Sequence, residues 1–356
     1  MKILQTQQSR LPEVDFNNLP FGRTFSDHMY VCDYKDGKWG AGEIVPFGHF
    51  TLHPATMSLH YGQAIFEGMK ASKMADGTPA LFRPEQHAMC INRSAHRMMM
   101  PQFPEQQFVE ALTELVALDA GWIPPQEGSA LYIRPFMFAT DEFIGVRPSE
   151  TYRFMIITGP TGPYYAKPVS LWVEQEYVRA VPGGTGEAKA AGNYGGSLLP
   201  AHEAKQRGFD QLMWMSGPNM REIQEVGTMN IFFVIGDEVV TPATDGAILK
   251  GITRDSFMQI LKREGYRVSA RKLTIDEVME AYDKGLLKEC FGAGTAAVVS
   301  HVSLIQFGEL KMDLPSIEER PVGSFLKDYI DGLRSGRIAD QFNWVVPVGV
   351  AVEELA

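Results

Sequence analysis

The sequence holds little cysteine and no long apolar run. Only Cys32, Cys90 and Cys290 occur in 356 residues, and their odd number and wide spacing argue against a disulfide framework or a zinc site. No apolar run reaches the length needed to cross a bilayer, and the first residues lack the apolar segment of a secretory signal peptide. These absences predict a cytoplasmic protein that binds no metal.

Basic clusters are also missing. The formal net charge is -10, and no group of lysines and arginines resembles those of nucleic-acid-binding proteins. We therefore expect neither nucleic acid nor an anionic membrane as a partner. Hydrophobic residues at 45% and charged residues at 21% are typical of a globular protein, and the chain is long enough that two domains are expected.

In the first half of the chain, strand-like and helical patterns alternate. Residues 29–34, 130–138 and 152–157 are rich in aromatic and branched side chains, which predicts strands. Helices are expected from Arg83-Pro84 to Met100 and from about Glu105 to Asp119. This mixture indicates an α+β domain.

Glycine and proline then interrupt the chain at Gly159-Pro160-Thr161-Gly162-Pro163. We therefore expect a first domain over 1–158, an interdomain loop over 159–168 and a second domain over 169–356.

The second half continues with mixed elements. Its expected strands cover 169–174, 211–215 and 229–235, and its expected helices cover 197–207 and 253–264. Thr274 and Glu277 form a capping-box pattern that predicts another helix. The glycine-rich run 290–299 is interpreted as a turn followed by a strand.

A glycine-rich stretch, Gly183–Gly196, carries Lys189 and Tyr194. Glycine permits backbone angles closed to other residues, so the stretch predicts a tight turn or a backbone close to something bulky. A lysine held there can be a nucleophilic amine that forms a Schiff base with a carbonyl. The alternative is a flexible surface loop with a solvated lysine.

Three features after this lysine could hold a phosphorylated aromatic cofactor. Glu225 precedes an apolar strand, where a carboxylate can pair with a protonated ring nitrogen or simply face solvent. Leu249–Asp255 is a glycine turn leading into a helix, which suits an anion or an ordinary threonine N-cap. Gly292–Thr295 is a second turn with a hydroxyl that could reach a phosphate, or only a tight turn.

Taken together, these features resemble a known family signature. The chain from Glu225 to Arg254 reads Glu-Val-Gly-Thr-Met-Asn-Ile-Phe, then Val-Val-Thr, then Leu-Lys-Gly-Ile-Thr-Arg, as in the class IV pyridoxal-phosphate aminotransferases. Further motifs resemble branched-chain amino acid aminotransferase: His60-Tyr61, Phe66-Glu67-Gly68-Met69-Lys70, Tyr132-Ile133-Arg134-Pro135, Gly192-Asn193-Tyr194-Gly195 and Gly294-Thr295-Ala296. The resemblance runs from Phe21 to about Val348.

The resemblance implies a two-domain enzyme of fold type IV, with a smaller N-terminal α/β domain and a larger C-terminal mixed α/β pseudo-barrel. It implies transfer of the amino group of leucine, isoleucine or valine to 2-oxoglutarate through pyridoxal 5'-phosphate. Lys189 would hold the cofactor as an internal aldimine and later move a proton between the substrate α-carbon and the cofactor. The other implied cofactor-binding residues are Glu225 at the ring nitrogen, Tyr194 at the ring hydroxyl, Leu249 on the ring, and Ile252, Thr253 and Thr295 at the phosphate.

The resemblance also implies a substrate site. Its apolar wall would comprise Phe21, Phe66, Tyr164 and the methyl group of Thr228, and its polar side Tyr61, Tyr132, Arg134, Ala296 and Ala297. The partner subunit would close the pocket with the positions that match Ile144 and Val146, which implies a homodimer. On sequence alone, Arg134 could equally form a buried structural ion pair.

Two positions depart from the family pattern. The Cys-x-x-Cys redox pair of the mammalian members is replaced by Ala297 and Ser300, so redox control of that kind is not expected. Cys90 falls where the family places its phosphate-binding arginine, which predicts weaker cofactor binding. Arg83 and Arg93 lie nearby, but helical geometry is expected to point both away from position 90. Alternatively, Cys90 merely packs in the core.

Other functions remain open at this point. Another fold-type IV enzyme, such as D-amino acid aminotransferase or aminodeoxychorismate lyase, would share the signature. A catalytically inactive homologue that serves as a binding protein is a third possibility, against which Lys189, Tyr194 and Glu225 count. The sequence does not reveal the preferred branched-chain substrate, the physiological direction or assembly beyond a dimer.

Overall fold

A computed structural model of the chain describes residues 1–162 and 167–349. The described residues form two compact units. The first comprises 1–162, 188–191 and 331–349, and the second comprises 167–187 and 192–330. The segment around Lys189 and the C-terminal segment thus group with the first half of the chain. The domain bounds 1–158, 159–168 and 169–356 stay a prediction.

The described chain contains the following elements. The strands are β1 (Lys2–Ile3), β2 (His28–Lys35), β3 (Lys38–Trp39), β4 (Glu43–Pro46), β5 (Ala64–Phe66), β6 (Met69–Lys73), β7 (Pro79–Phe82), β8 (Ala130–Ala139), β9 (Tyr152–Thr161), β10 (Val169–Val173), β11 (Gln211–Ser216), β12 (Glu222–Val226), β13 (Met229–Ile235), β14 (Glu238–Pro242), β15 (Arg267–Arg271), β16 (Leu287–Gly294), β17 (Val298–Phe307), β18 (Leu310–Asp313) and β19 (Val345–Pro347). The α-helices are α1 (Met57–Tyr61), α2 (Pro84–Arg97), α3 (Glu105–Leu118), α4 (Ala191–Gly195), α5 (Leu198–Gln206), α6 (Ile252–Arg263), α7 (Ile275–Asp283) and α8 (Pro321–Arg334).

The first unit is built on one ten-stranded sheet. Its strand order is β1-β4-β2-β9-β8-β6-β7-β19, with β3 paired to β2 and β5 paired to β8. Helices α2 and α3 contribute to the core through faces such as Ile91 and Ala95 on α2 and Phe108 and Leu112 on α3, which are buried. These positions recur at helical spacing, and the helix predicted from about Glu105 to Asp119 is confirmed as α3.

The second unit closes six of its nine strands into a barrel. The strand order is β12-β11-β10-β17-β16-β13, and β13 also pairs with β12, so the ring is complete. Strands β14, β15 and β18 extend the sheet outside this ring. A closed ring leaves its strands without free edges, and its interior is filled by side chains such as Met213, Ile231 and Val302. This barrel matches the predicted pseudo-barrel.

Local sequence signals explain where the helices start. The hydroxyl of Thr274 accepts a hydrogen bond from the Glu277 amide at 3.3 Å, which confirms the predicted cap of α7. Helix α2 has proline at its first position, and Arg83 before it adopts a positive φ of 52°. Helix α6 starts directly after Gly251.

One prediction about the second unit is wrong. Residues 290–294 do not form a turn; they complete strand β16, and the turn covers only 295–297. Gly292 fits the strand because a Cβ there would lie 2.8 Å from Cε of Met229. Glycine within a strand here marks a close approach of a neighbouring side chain rather than a turn. None of the helices within 1–162 and 167–349 is long and apolar enough to cross a membrane.

Candidate functional site

The backbone of Lys189 is fixed on both sides within the first unit. Its amide donates a hydrogen bond to Oγ of Ser94 at 2.9 Å, and its carbonyl accepts one from the Phe66 amide at 3.0 Å. The neighbours Ala188 and Ala190 are buried in the core, and Ala190 forms a β-bridge with Ile65. Lys189 therefore lies on an ordered extended segment beside β5, not on the flexible surface loop that remained an alternative.

The Lys189 amine lies near an aromatic ring and near the buried side chains of Glu67 and His87. Nζ lies 5.4 Å from the centroid of the Phe66 ring. Nearby, Oε2 of the buried Glu67 lies 3.0 Å from Nδ1 of His87. Burial alone would raise the pKa of Glu67, but the His87 hydrogen bond and the positive charge of Lys189 outweigh burial and lower that pKa. A carboxylate in this position stays ionised.

Three of the predicted substrate residues line one cavity of about 310 Å³ in the first unit, namely Phe21, Tyr132 and Arg134. The rings of Phe21 and Tyr132 meet edge to face at 5.0 Å, and Nη2 of Arg134 donates to Oη of Tyr132 at 2.8 Å. The Arg134 guanidinium also lies 4.5 Å from the Phe66 ring centroid. The cavity thus combines one cationic wall with aromatic surface.

Arg134 has spare capacity to bind an anion. Its Nε is buried and makes no hydrogen bond within the described residues, and no ion pair of Arg134 occurs among them. A guanidinium that lines a cavity and forms no ion pair within the described residues suits a carboxylate ligand. The alternative of a structural ion pair for Arg134 therefore finds no partner in the described part of the chain.

The remaining substrate predictions of the first unit are scattered. Tyr61 ends α1 and is 39% exposed, whereas Ile144 and Val146 are 67% and 91% exposed on the segment between β8 and β9. None of these three lines the cavity at Arg134. Tyr164 lies outside the described residues.

In the second unit, Glu225 is buried at the centre of a polar network. Its Oε1 accepts hydrogen bonds from the Leu249 amide at 2.9 Å and from Nδ2 of Asn230 at 3.2 Å. Its Oε2 lies 3.2 Å from Nε of Arg179, and both side chains are at most 10% exposed. Nδ2 of Asn230 also donates to the Leu249 carbonyl at 2.8 Å, so the network joins β12, β13 and the turn before α6. Glu225 is therefore not the solvated carboxylate that remained possible.

The start of α6 presents backbone donors that no side chain caps within the described residues. Its N-cap, Gly251, supplies no side-chain cap, so the amides of Ile252 and Thr253 at the first turn are available to an anion. Thr253 is buried and adds a hydroxyl. Glycine is required at 251, because a Cβ there would lie 2.2 Å from Oδ1 of Asn230. The ordinary alternative, in which Thr253 caps the helix, is wrong.

The turn 295–297 lies at the same end of the barrel as Thr228. Strand register pairs Glu225 with Asn230 and Asn230 with Ala293, so the turn after β12 and the turn after β16 are neighbours. Val298 closes the second turn with a positive φ of 61°, and the Val299 amide donates to the Ala297 carbonyl at 2.8 Å. A β-branched residue rarely adopts this conformation, so surrounding contacts hold the turn in a strained shape.

Tyr194 lies on α4, and the residue before it ties the glycine-rich stretch together. Nδ2 of Asn193 donates to the Thr185 carbonyl at 2.8 Å, and the Thr185 hydroxyl donates to Oδ1 of Asn193 at 2.6 Å. Gly186 is forced by close packing, because a Cβ there would lie 2.1 Å from the Ala247 carbonyl oxygen. Close backbone approach, one of the two predicted explanations of the stretch, therefore accounts for glycine at 186.

The donors present fit a phosphorylated, protonated aromatic cofactor. The second unit offers a buried carboxylate at Glu225 for a ring N–H and an uncapped helix start with the Thr253 hydroxyl for a phosphate. The first unit offers the primary amine of Lys189 for an aldehyde. Within the described residues, no cluster of three or more histidine, cysteine, aspartate or glutamate side chains could hold a metal ion.

The expectation that Arg93 points away from position 90 is wrong. Nη2 of Arg93 donates a hydrogen bond to Sγ of Cys90 at 2.8 Å. Residues three apart share one face of a helix, so an arginine at 93 can cover the surface above a small side chain at 90. Arg83 instead places its guanidinium 4.6 Å from the Trp344 ring centroid. Burial raises the pKa of the Cys90 thiol to about 12, so it stays neutral.

Sequence reasoning missed several polar residues of these networks. Arg179 carries no signal, because its contact with Glu225 depends on the tertiary fold and not on a local pattern. Asn230 lies within the family signature and Glu67 within a family motif, yet the resemblance implied no role for either. His87 and Ser94 lie seven residues apart on the buried face of α2, a spacing that could have marked them as one polar row.

Comparison with known proteins agrees with these features. The class IV amino-transferase family model matches residues 64–305. Branched-chain-amino-acid aminotransferase 2 of Bacillus subtilis is 45% identical over 354 residues, covering 98% of both chains. A branched-chain-amino-acid aminotransferase of Mycolicibacterium smegmatis is 41% identical over 337 residues, covering 92% of both.

Solved structures share the fold. The branched-chain amino acid aminotransferase from Escherichia coli has a TM-score of 0.73 at 26% identity, covering 91% of this chain and 99% of that one. A T.th. branched-chain amino acid aminotransferase complexed with N-(5'-phosphopyridoxyl)-L-glutamate has a TM-score of 0.72 at 26% identity, covering 89% and 98%. The predicted fold class is thereby confirmed.

The family model and the identity over nearly the whole chain place the protein among the class IV aminotransferases. Within that class, the chain belongs to the branched-chain-amino-acid aminotransferase family. It is an enzyme.

Proposed function

We propose that this enzyme transfers the amino group of L-leucine, L-isoleucine or L-valine to 2-oxoglutarate, giving L-glutamate and the branched 2-oxo acid. The observation that carries the proposal is the cavity at Arg134, where a half-buried guanidinium without an ion-pair partner in the described part of the chain lies beside aromatic rings. A branched amino acid offers the matching groups, namely one carboxylate and one apolar side chain. The relatives' names support the same substrates.

The proposed cofactor is pyridoxal 5'-phosphate. When bound, it supplies an electron sink for the negative charge that develops at the substrate α-carbon. The donor set described above suits its ring nitrogen, phosphate and aldehyde, and the T.th. relative is described with a phosphopyridoxyl compound bound. These two observations support the assignment independently of each other.

Lys189 would hold the cofactor through its amine and would carry the catalytic proton. Once its amine is released, Nζ would remove the proton from the substrate α-carbon and later return it on the cofactor side. Such a transfer requires a fixed amine, and the two backbone hydrogen bonds of Lys189 hold its segment in place. Glu225 would keep the ring nitrogen protonated, because a buried carboxylate favours a positive charge beside it.

The remaining cofactor contacts would orient the ring and anchor the phosphate. Tyr194 would donate to the ring hydroxyl and Leu249 would pack on the ring. The phosphate would lie at the amides and hydroxyls of Ile252, Thr253 and Thr295, where the uncapped start of α6 supplies partial positive charge.

Substrate recognition would divide into a polar and an apolar side. Arg134 and Tyr132 would bind the carboxylate, with Tyr61 and the backbone of Ala296 and Ala297 completing the polar side. The apolar side chain would contact Phe21, Phe66, Tyr164 and the methyl group of Thr228. We also propose a cytoplasmic homodimer in which Ile144 and Val146 of each subunit serve the other's site, since both residues are exposed in the single chain.

A substrate comparison tests the proposal. The purified protein, loaded with pyridoxal phosphate and supplied with 2-oxoglutarate, should form glutamate from L-leucine, L-isoleucine and L-valine at rates far above that from D-alanine. Glutamate formation would be followed by a coupled dehydrogenase assay. Preferential use of D-alanine would indicate a different class IV activity, and turnover of neither would contradict the proposal.

A further inference from the structure

We propose that Glu67 and His87 form a buried positioning pair that supplies the counter-charge to the amine of Lys189. No role for these two side chains follows from the cofactor and substrate contacts assigned above. The inference deepens the proposed function, on which it rests, because it concerns the amine that the proposed function uses.

One face of α2 locates both the carboxylate and the lysine. His87 and Ser94 lie seven residues, or about two turns, apart on this face, and both are buried. His87 holds the carboxylate of Glu67 at 3.0 Å, and Ser94 holds the backbone amide of Lys189 at 2.9 Å. A single rigid helix therefore sets the position of the negative group and of the segment that carries the amine.

Strand β5 fixes the same two residues from the other side. The amide of Phe66 donates to the carbonyl of Lys189 at 3.0 Å, and the next residue along the chain is Glu67. The amide of Glu67 donates to the Pro135 carbonyl at 2.8 Å, which anchors its backbone to β8. Glu67 is thus one residue from the backbone contact that holds Lys189.

The charges around the pair are complementary. Burial alone would raise the pKa of Glu67, yet the His87 hydrogen bond and the charge of Lys189 lower it, so Glu67 is an anion stabilised by these neighbours. Other charged groups in this region include Arg83 and Arg93, which act on the thiol of Cys90 together with Glu67 and Lys189, and Arg134, whose guanidinium lies 4.5 Å from the centroid of the same Phe66 ring. Burial keeps that thiol neutral, so Cys90 adds no negative charge that could replace Glu67.

The consequence is an aimed amine whose cationic form, reached when Nζ takes up a proton, is stabilised by a nearby carboxylate. A buried carboxylate favours the cationic form of a nearby amine, so Lys189 should have a higher pKa with Glu67 present than without it. His87 would act through Glu67 by holding its carboxylate in one orientation. Both are positioning residues, since neither needs to touch the substrate.

The test is competitive acetylation of the full-length protein freed of cofactor, with the Lys189 peptide quantified by mass spectrometry from pH 6 to 11. Glu67→Gln keeps the shape and removes the charge, and it should lower the pKa of Lys189 by about one to three units, or about ten- to a thousandfold in proton affinity. His87→Phe should produce a smaller shift in the same direction. Glu85→Gln, at an exposed position in the first turn of α2, is the matched control and should leave that pKa unchanged.

Further outcomes separate the inference from the proposed function. If Glu67→Gln fails to fold, Glu67→Asp keeps the charge at a greater distance and should give a partial shift. Borohydride reduction of the wild-type protein with pyridoxal phosphate, followed by peptide mapping, tests attachment at Lys189 independently. Attachment at Lys189 with the same pKa in Glu67→Gln, Glu67→Asp and Glu85→Gln would overturn the inference alone. Attachment at another lysine would overturn the proposed function.

Discussion

Replacing Glu225 with glutamine should damage both folding and turnover. The carboxylate and its partner Arg179 are 4% and 10% exposed, so removing the negative charge leaves a buried guanidinium without its ion-pair partner. Breaking such a pair costs about 3–5 kcal/mol. For a unit of this size, each kcal/mol lowers the melting temperature by about 2–4 °C, which predicts a loss of roughly 6–20 °C.

Turnover should fall by a second, separate mechanism. An amide cannot hold a ring nitrogen protonated, so we expect a loss of about a hundred- to a thousandfold, as when a preorganised electrostatic stabiliser is removed. The glutamine side chain would present either its NH2 group or its neutral oxygen to the backbone N–H of Leu249. Either arrangement weakens the 2.9 Å hydrogen bond that the carboxylate accepts from this N–H. Cofactor occupancy, measured from the visible spectrum, should remain high at saturating pyridoxal phosphate.

A matched variant lies on the same strand. Glu222 pairs with Lys272, but that lysine side chain is 68% exposed, and a surface ion pair contributes only about 0–1 kcal/mol. Glu222→Gln should therefore change the melting temperature by less than about 4 °C and leave turnover intact. Equal melting temperatures for Glu225→Gln and Glu222→Gln, with near-normal turnover in both, would refute this account of Glu225. Lower stability with normal turnover would place Glu225 in the fold but outside the site.

Three further predictions follow from other contacts. Cys90→Arg should tighten pyridoxal phosphate binding, but by less than the ten- to a hundredfold expected of an isolated charged hydrogen bond, because the Arg93 guanidinium already lies 2.8 Å from Sγ. Titration of the apoprotein with pyridoxal phosphate measures this affinity, which Arg93→Ala should weaken. Unchanged affinity in both variants would show that α2 does not contribute to the phosphate site. Gly251→Ala should lower cofactor affinity at least tenfold, because the added Cβ would lie 2.2 Å from Oδ1 of Asn230 and would displace that side chain. Wild-type affinity in this variant would show that the turn adapts. Burial alone would raise the pKa of Asp27, but its hydrogen bonds outweigh burial and lower that pKa below the ordinary value. The ionised carboxylate therefore stabilises the folded state above about pH 4, and this stabilisation is lost as the pH falls through the native pKa. Asp27→Asn should make unfolding less steeply dependent on pH between about 4 and 2, and an identical pH profile for the variant would contradict this reading.

Much of the fold could be predicted because its signals are local. The cap at Thr274 and the apolar face of α3 depend on residues within two turns, and the structure places them as predicted. The run at 290–294 was misinterpreted because its glycines serve a neighbouring strand. Only the position of the Met229 side chain shows why a strand carries glycine at 292.

The candidate site was predictable to a smaller extent. Motif resemblance predicts roles for Lys189, Glu225 and the start of α6, but it could not supply the contacts that fix them. Arg179 lies 46 positions from Glu225 in the sequence and meets it only in the folded chain. The contact between Arg93 and Cys90 is a different case, because it could have been predicted. Residues three apart share a helical face, and the expectation that Arg93 points away from position 90 misapplied this spacing.

The role of Lys189 as the reactive amine is tested by measuring amino transfer from L-leucine to 2-oxoglutarate with the wild-type protein, with Lys189→Ala and with Lys205→Ala. Lys205 is an exposed residue of α5 and serves as the control. The account predicts that wild type and Lys205→Ala form glutamate at equal rates, while Lys189→Ala loses turnover and the visible absorbance of the bound cofactor. Sustained glutamate formation by Lys189→Ala would contradict the assignment of the reactive amine.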